Sequence, residues 1–156
     1  MIIVYIDGLI SINPGGIATY SFIIYKNGSK IFEKYDVIEK ELSMSNNYAE
    51  YYALYSSLKF LLENNMNNEE IIIKSDSQLL VNQMEGLWKA HKGSYYSLYL
   101  KTKELLKEFS NIKFIWIPRE ENDEADRLSK KAYEEYLKSF STNSKNRENC
   151  SKNTCN

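Results

Sequence analysis

Cysteine is nearly absent from this chain: there are two, Cys150 and Cys155, both close to its end. Everything before them must fold without disulfides and offers no thiolate zinc site. Histidine is scarcer, with His91 alone, so neither a Ser-His-Asp nor a Cys-His constellation is available for nucleophilic catalysis. No apolar run approaches the roughly 20 residues of a membrane-spanning helix. No basic segment precedes the first strand either, so no signal peptide is expected and the protein is placed in the cytoplasm. Excess charge is also missing, since 20 basic side chains face 21 acidic ones. That balance argues against gripping nucleic acid by bulk charge, though not against an acid cluster neutralised by cations. What remains is an ordinary globular composition, 43% hydrophobic, 13% aromatic and 26% charged over 156 residues. One domain is expected, with the thirteen tyrosines mostly in the core or on half-buried sheet.

The first stretch with organisation is Ile2-Ile3-Val4-Tyr5-Ile6, a continuous apolar run expected to stop at Asp7-Gly8. Five β-favouring residues without alternation read as a central strand covered on both faces. The segment Ser11-Ile12-Asn13-Pro14-Gly15-Gly16 is a loop. Ile17 to Tyr25 and Ile31 to Ile38 are strands joined at Asn27-Gly28, a strong hairpin signal. From Ser45 the period becomes helical, with Ala49, Ala53, Ser56, Ser57 and Phe60 as a stripe of modest size that can lie close on a sheet and Glu50 in the first turn. Ile71-Ile72-Ile73-Lys74-Ser75-Asp76 repeats the opening pattern. A helix from Ser77 follows, carrying Leu80, Met84 and Leu87. After a connector, Trp88-Lys89-Ala90-His91-Lys92-Gly93, comes another helix between Tyr95 and Phe109. Ile112 to Ile117 is a fifth strand halted by Pro118, and a last helix begins near Asn122 with Ala125, Leu128, Ser129, Ala132 and Tyr136 on one face. The domain is expected to span 1–140, with 141–156 a disordered polar tail lacking aliphatic and aromatic residues.

Three antiparallel strands, then helix, strand, helices, strand and helix describe an α/β fold. With right-handed crossovers, the mixed five-stranded sheet takes the order 3-2-1-4-5, flanked by helices. Asp7 and Asp76 then stand at one edge of neighbouring strands, and Glu50 and Asp126 face that edge from helix starts. Taken singly, any one acid reads first as a solvated surface residue, and a strand-end Asp as a helix cap. Four carboxylates in one small volume persist as anions only if a cation shares the site, and oxygen-only ligands suit Mg²⁺ or Mn²⁺. Two such ions about 4 Å apart stabilise the attacking and leaving oxygens of a phosphodiester displacement.

Asp7-Gly8 with Asn13-Pro14-Gly15-Gly16, then Ser45-Asn46-Asn47-Tyr48-Ala49-Glu50, then Ser75-Asp76-Ser77-Gln78, then Trp116-Ile117-Pro118-Arg119-Glu120-Glu121-Asn122 with Ala125-Asp126, resembles type 1 ribonuclease H. The match is ordered and runs from residue 2 to about 138. The resemblance implies a ribonuclease H-like fold and a monomeric endonuclease that cuts the RNA strand of RNA/DNA hybrids, leaving 5′-phosphates. It implies Asp7, Glu50, Asp76 and Asp126 as ligands of two Mg²⁺ ions, for which Mn²⁺ can substitute. It further implies substrate contacts from Gly8, Asn13, Asn46, Asn47 and Gln78, since uncharged amides can read 2′-hydroxyls; turn formation and helix capping explain the amides as well. Two departures stand out. Arg119 occupies the loop where many members carry a histidine, as in a His-lacking subgroup, and could contact phosphate or pair with Glu120 or Glu121. The long basic protrusion of some members is reduced to Trp88, Lys89, His91 and Lys92, with Trp88 either gripping the DNA strand or packed in the core. Looser specificity extending to double-stranded RNA is the implied consequence. The rival readings are a non-catalytic nucleic-acid module on this fold and a different two-metal nuclease.

Overall fold

The computed structural model describes residues 1–11, 16–38 and 45–152, with side chains as far as 139. Five strands form one sheet: β1 (Ile2–Ser11), β2 (Ile17–Lys26), β3 (Ser29–Ile38), β4 (Glu70–Ser75) and β5 (Asn111–Trp116). Their order is β3-β2-β1-β4-β5. The first three are an antiparallel meander, whereas β4 runs parallel to both β1 and β5. This is the mixed sheet expected from the alternation of patterns. The β2–β3 turn uses positive φ at Asn27 (51°) and Gly28 (85°), the backbone twist that a tight two-residue hairpin demands.

The helices are α1 (Asn46–Glu63), α2 (Gln78–Met84), α3 (Tyr96–Leu106) and α4 (Asp123–Lys152), with a 3₁₀ turn at Arg119–Asn122 before the last. Small residues decide where two of them lie. Ala49, Ala53 and Ser57 are fully buried and let α1 lie close on β1 and β2. Across the sheet, Ala125, Ser129 and Ala132 do the same for α4. Thr19 Oγ1 donates to the Ser129 carbonyl (2.9 Å), and Ser21 Oγ donates to that of Ala125 (2.6 Å). Ile2, Val4 and Ile6 are fully buried between the layers, each contributing roughly 1.5–3 kcal/mol.

Two expectations are corrected. β1 does not stop at Asp7-Gly8: its parallel ladder with β4 ends at Tyr5↔Lys74, but its antiparallel ladder with β2 continues to Ser11↔Ile17. Asp7 therefore sits where one neighbour has ended and the other has not, which opens a notch beside it. Leu87 does not belong to α2. Gly86, at φ 80°, terminates that helix, with the Leu87 N–H bonded to the Asn82 carbonyl (2.8 Å), and Leu87 lies exposed beyond it. The backbone of α4 continues to Lys152. No proline or glycine lies in 124–152 to halt it. Among the described residues no helix is long and apolar enough to cross a membrane.

Candidate active site

The notch beside Asp7 is the floor of a cleft of about 340 Å³ lined by Asp7, Glu50, Asp76, Asp126, Arg119 and the amides Asn46 and Asn47. Asn46, Asn47, Glu50 and Asp76 arrive by local rules, Asp126 by a long-range one. Ser45 caps α1 by accepting from the Tyr48 N–H (3.3 Å), which sets Asn46, Asn47 and Glu50 on its first turns. Ser77 caps α2 in the same way through the Leu80 N–H (3.2 Å), leaving Asp76 in the link between β4 and that cap. Asn122, buried in the 3₁₀ turn, donates from Nδ2 to the Ile6 carbonyl (2.8 Å). This bond ties the start of α4, and Asp126 with it, to the residue before Asp7.

Gly8, which lines the cleft, has a packing role as well. A Cβ there would lie 2.3 Å from the Ala49 carbonyl carbon and 2.4 Å from the Glu50 nitrogen. The missing side chain is what allows α1 to rest directly on β1. Alternation along the strand puts Gly8 on the α1 face and Asp7 on the other.

Carboxylate oxygens of Asp7, Glu50 and Asp76 all lie within 4.8 Å of one another. Burial raises the Asp7 carboxyl to about 7, a hydrogen bond from Ser129 opposing it and the Asp76 and Asp126 charges adding to it. Burial pushes Glu50 well above the usual carboxylate range, with Asp7 and Asp76 adding to the rise. Asp76 is raised by burial too, with Arg119 holding it back. Asp126 is held from outside the trio by Lys130 (2.9 Å) and by Arg119 (4.0 Å).

The donor set fits a hard divalent cation. Asp7 Oδ2 and Glu50 Oε2 are buried without any hydrogen-bond partner, a costly state for carboxylates unless a cation completes it. The protein without metal therefore carries a stability penalty whose sign follows from linkage. All three shifted groups have folded pKa values above their unfolded ones, so their stabilising contribution is complete below the unfolded values and is lost as the pH rises through the folded ones, about 7 for Asp7. Metal-free protein is expected to melt at a lower temperature at about pH 8 than at about pH 5, with Mg²⁺ raising the midpoint mainly at the higher pH. Calorimetry with EDTA or Mg²⁺ at both values checks this; a metal-free midpoint that is level or rises with pH would contradict it.

The structure brings together all four expected acids, Gly8, Asn46, Asn47 and Arg119. Gln78 is exposed at the first position of α2, next to the lining residue Ser77. Trp88 and Lys89 do not line the cleft. Trp88 is 48% exposed, which excludes the core placement, and Lys89 is exposed on the same connector. That connector is anchored by a buried network in which Tyr51 Oη donates to Gln83 Oε1 (2.6 Å) and Gln83 Nε2 donates to Tyr95 Oη (3.0 Å) and the Lys89 carbonyl (3.2 Å). Asn13 lies outside the described residues. Sequence reasoning missed the supports: Asn122 and Ser129 were seen only as helix-start and helix-face residues, because nothing local marks a partner more than a hundred positions away.

Comparison with known proteins agrees with this geometry. The family described as "Reverse transcriptase-like" matches residues 23–132. Ribonuclease HI of Halobacterium salinarum is 29% identical over 131 residues, covering 84% of this chain and 63% of that protein. A bifunctional protein of Mycobacterium tuberculosis is 35% identical over 88 residues, and the match spans only 24% of its length. The solved N-terminal RNase H domain of that protein, as a maltose-binding-protein fusion, superposes with a TM-score of 0.77 at 29% identity, covering 89% of this chain. LC11-RNase H1, solved in complex with an RNA/DNA hybrid, superposes with a TM-score of 0.78 at 30% identity, covering 88% of this chain and 99% of that one. With a family model matching residues 23–132 and a match at 30% identity across nearly the whole of a solved ribonuclease H1, this chain belongs to the type 1 ribonuclease H family.

Proposed function

We propose that this protein is an endonuclease that hydrolyses the RNA strand of RNA/DNA hybrids, leaving 5′-phosphates, with two divalent cations held by Asp7, Glu50, Asp76 and Asp126. The observation that carries the reading is the trio of carboxylates within 4.8 Å, Asp7 and Glu50 buried and Asp76 half-buried, the two buried ones each with an orphaned oxygen, on the floor of an open cleft. Bound there, Mg²⁺ or Mn²⁺ would supply the positive charge that stabilises the attacking and leaving oxygens of an in-line displacement. The chain's own groups supply position. Asn46 and Asn47, at the cleft's rim, present uncharged donors and acceptors suited to 2′-hydroxyls. Arg119, 72% exposed at the side chain and 4.0 Å from Asp126, can swing to a phosphate oxygen and form paired charge-assisted bonds. It stands where a proton-carrying imidazole would be in other members, so its contribution is charge and not proton transfer.

The small connector carrying Trp88 and Lys89 supports a looser grip on the DNA strand, and with it cleavage of double-stranded RNA as a slower activity. One labelled sequence offered as RNA/DNA hybrid, double-stranded RNA, single-stranded RNA and double-stranded DNA, with Mg²⁺ or Mn²⁺, tests both claims. Cutting of the hybrid's RNA strand is expected to be fastest. Absence of metal-dependent cutting of every substrate by folded protein would favour the non-catalytic module. Because the acids and their supports all lie before residue 140, removing 141–156 is expected to leave the hydrolysis rate and the thermal midpoint unchanged. A several-fold loss of rate in that truncation would give the segment a role.

A further inference from the structure

The solvent-facing side of α1 carries an unusual set of residues. Tyr48, Tyr52 and Tyr55 recur at helical spacing along it, half-buried, and end at the exposed Lys59. They form the floor of a groove of about 420 Å³, whose walls are Phe32 and Lys34 of β3 on one side and Leu98 and Lys101 of α3 on the other. Tyr52 is held edge-on by Tyr20 (4.8 Å between centroids), and Lys59 sits over the Tyr55 ring at 6.0 Å. Three exposed lysines against one acid, Glu63, line this groove, although the chain as a whole has a net charge of −1; Asp36 lies beyond the Tyr52 end. At 1.5 Å per residue the floor from Tyr48 to Lys59 is about 17 Å long, the span of roughly five stacked nucleotides. Its near end adjoins Asn46 and Asn47, which line the catalytic cleft.

We propose that this groove binds single-stranded nucleic acid. Aromatic faces on a floor, with cations along both walls, are the two elements that sequence-tolerant single-strand binding requires: bases stack on the rings while phosphates follow the positive charge. The lysines decide the class of ligand. An apolar peptide or a second copy of this chain would leave three cations desolvated without partners, which a polyanion satisfies. The inference rests on the hydrolase reading only in that a strand continuing out of a duplex in the cleft would enter the groove at Tyr48.

The test is fluorescence anisotropy of a labelled oligothymidylate of about twelve nucleotides with the full-length protein in EDTA, so that no cleavage competes. A triple charge reversal, Lys34→Glu, Lys59→Glu and Lys101→Glu, is expected to weaken binding at least tenfold. It should also flatten the dependence of log affinity on log salt by about 2, from three phosphate contacts at roughly 0.7 each. Tyr55→Ser, which leaves the charges in place, is expected to weaken binding at least fivefold through lost stacking with the salt dependence unchanged; this variant also serves if the triple one fails to fold. Both should cut a blunt RNA/DNA hybrid within about twofold of the parent rate. Equal binding by parent, triple and Tyr55→Ser proteins would overturn the proposal, as would self-association abolished by the triple variant with no oligonucleotide bound. Oligonucleotide binding without hybrid cleavage would retain the groove and remove the hydrolase reading, and the converse would remove the groove alone.

Discussion

Asp76→Asn is expected to lower hybrid cleavage by about a thousandfold or more while leaving the metal-free protein at least as stable as its parent. The loss follows from the cluster: Asp76 supplies one of the three carboxylate oxygens that meet within 4.8 Å, and an amide there removes a full negative charge from the cation site. A thousandfold corresponds to about 4 kcal/mol, within the several kcal/mol that a positioned metal contributes to charge stabilisation in the transition state. The stability effect has the opposite sign because the same charge repels Glu50 and Asp7, whose carboxyls it helps to raise. Single-turnover rates with saturating Mg²⁺, together with thermal midpoints at about pH 8 with and without metal, separate the two effects. Mg²⁺ should raise the midpoint of the parent more than that of the variant. Retention of even a tenth of the parental rate by well-folded Asp76→Asn would remove this residue from the catalytic site.

Gly8→Ala carries the second large effect, and it acts through packing. The added carbon would stand 2.3, 2.4 and 2.7 Å from three backbone atoms of Ala49 and Glu50. Backbone inside a helix cannot rotate out of the way as a side chain can, so α1 must move off the sheet by about 1 Å to reach ordinary van der Waals separation. Glu50, a proposed metal ligand, moves with it, and a displacement of that size at such a group costs roughly a hundredfold in rate. Overpacking of this kind also costs about 1–3 kcal/mol. The expected result is therefore a large drop in kcat together with a lower thermal midpoint. A glycine needed only for close approach of substrate would instead raise KM and leave the midpoint in place, so measuring all three quantities distinguishes the roles.

Much of this molecule was legible because its signals are local. The unbroken apolar run of β1, the Asn27-Gly28 turn, the caps at Ser45 and Ser77 and the small-residue stripes of α1 and α4 are each set by a few neighbours in sequence. Handedness then left little choice of sheet order. Errors arose where a local pattern met a nonlocal competitor. Asp7-Gly8 has the look of a strand end, yet β2 offers a partner ladder that carries β1 on to Ser11. Leu87 keeps helical spacing with Leu80 and Met84, yet Gly86 adopts a positive φ and closes α2 before it. Trp88 is large and apolar, yet its connector is tethered by Gln83 through backbone and hydroxyl groups, which leaves the indole outside.

By itself the sequence determined which elements form and their order in the sheet, because hydrophobic period, turn chemistry and capping act over a few residues, and its ordered motifs named four candidate acids. Only the tertiary structure decided that three of those acids meet within 4.8 Å, that Asp126 stands beside them on Arg119 and Lys130, and that Gly8 is a seat for α1. Those facts depend on how closely a helix approaches a strand some forty residues away. That distance is set by the packing of complete side chains, to which no short stretch of sequence has access.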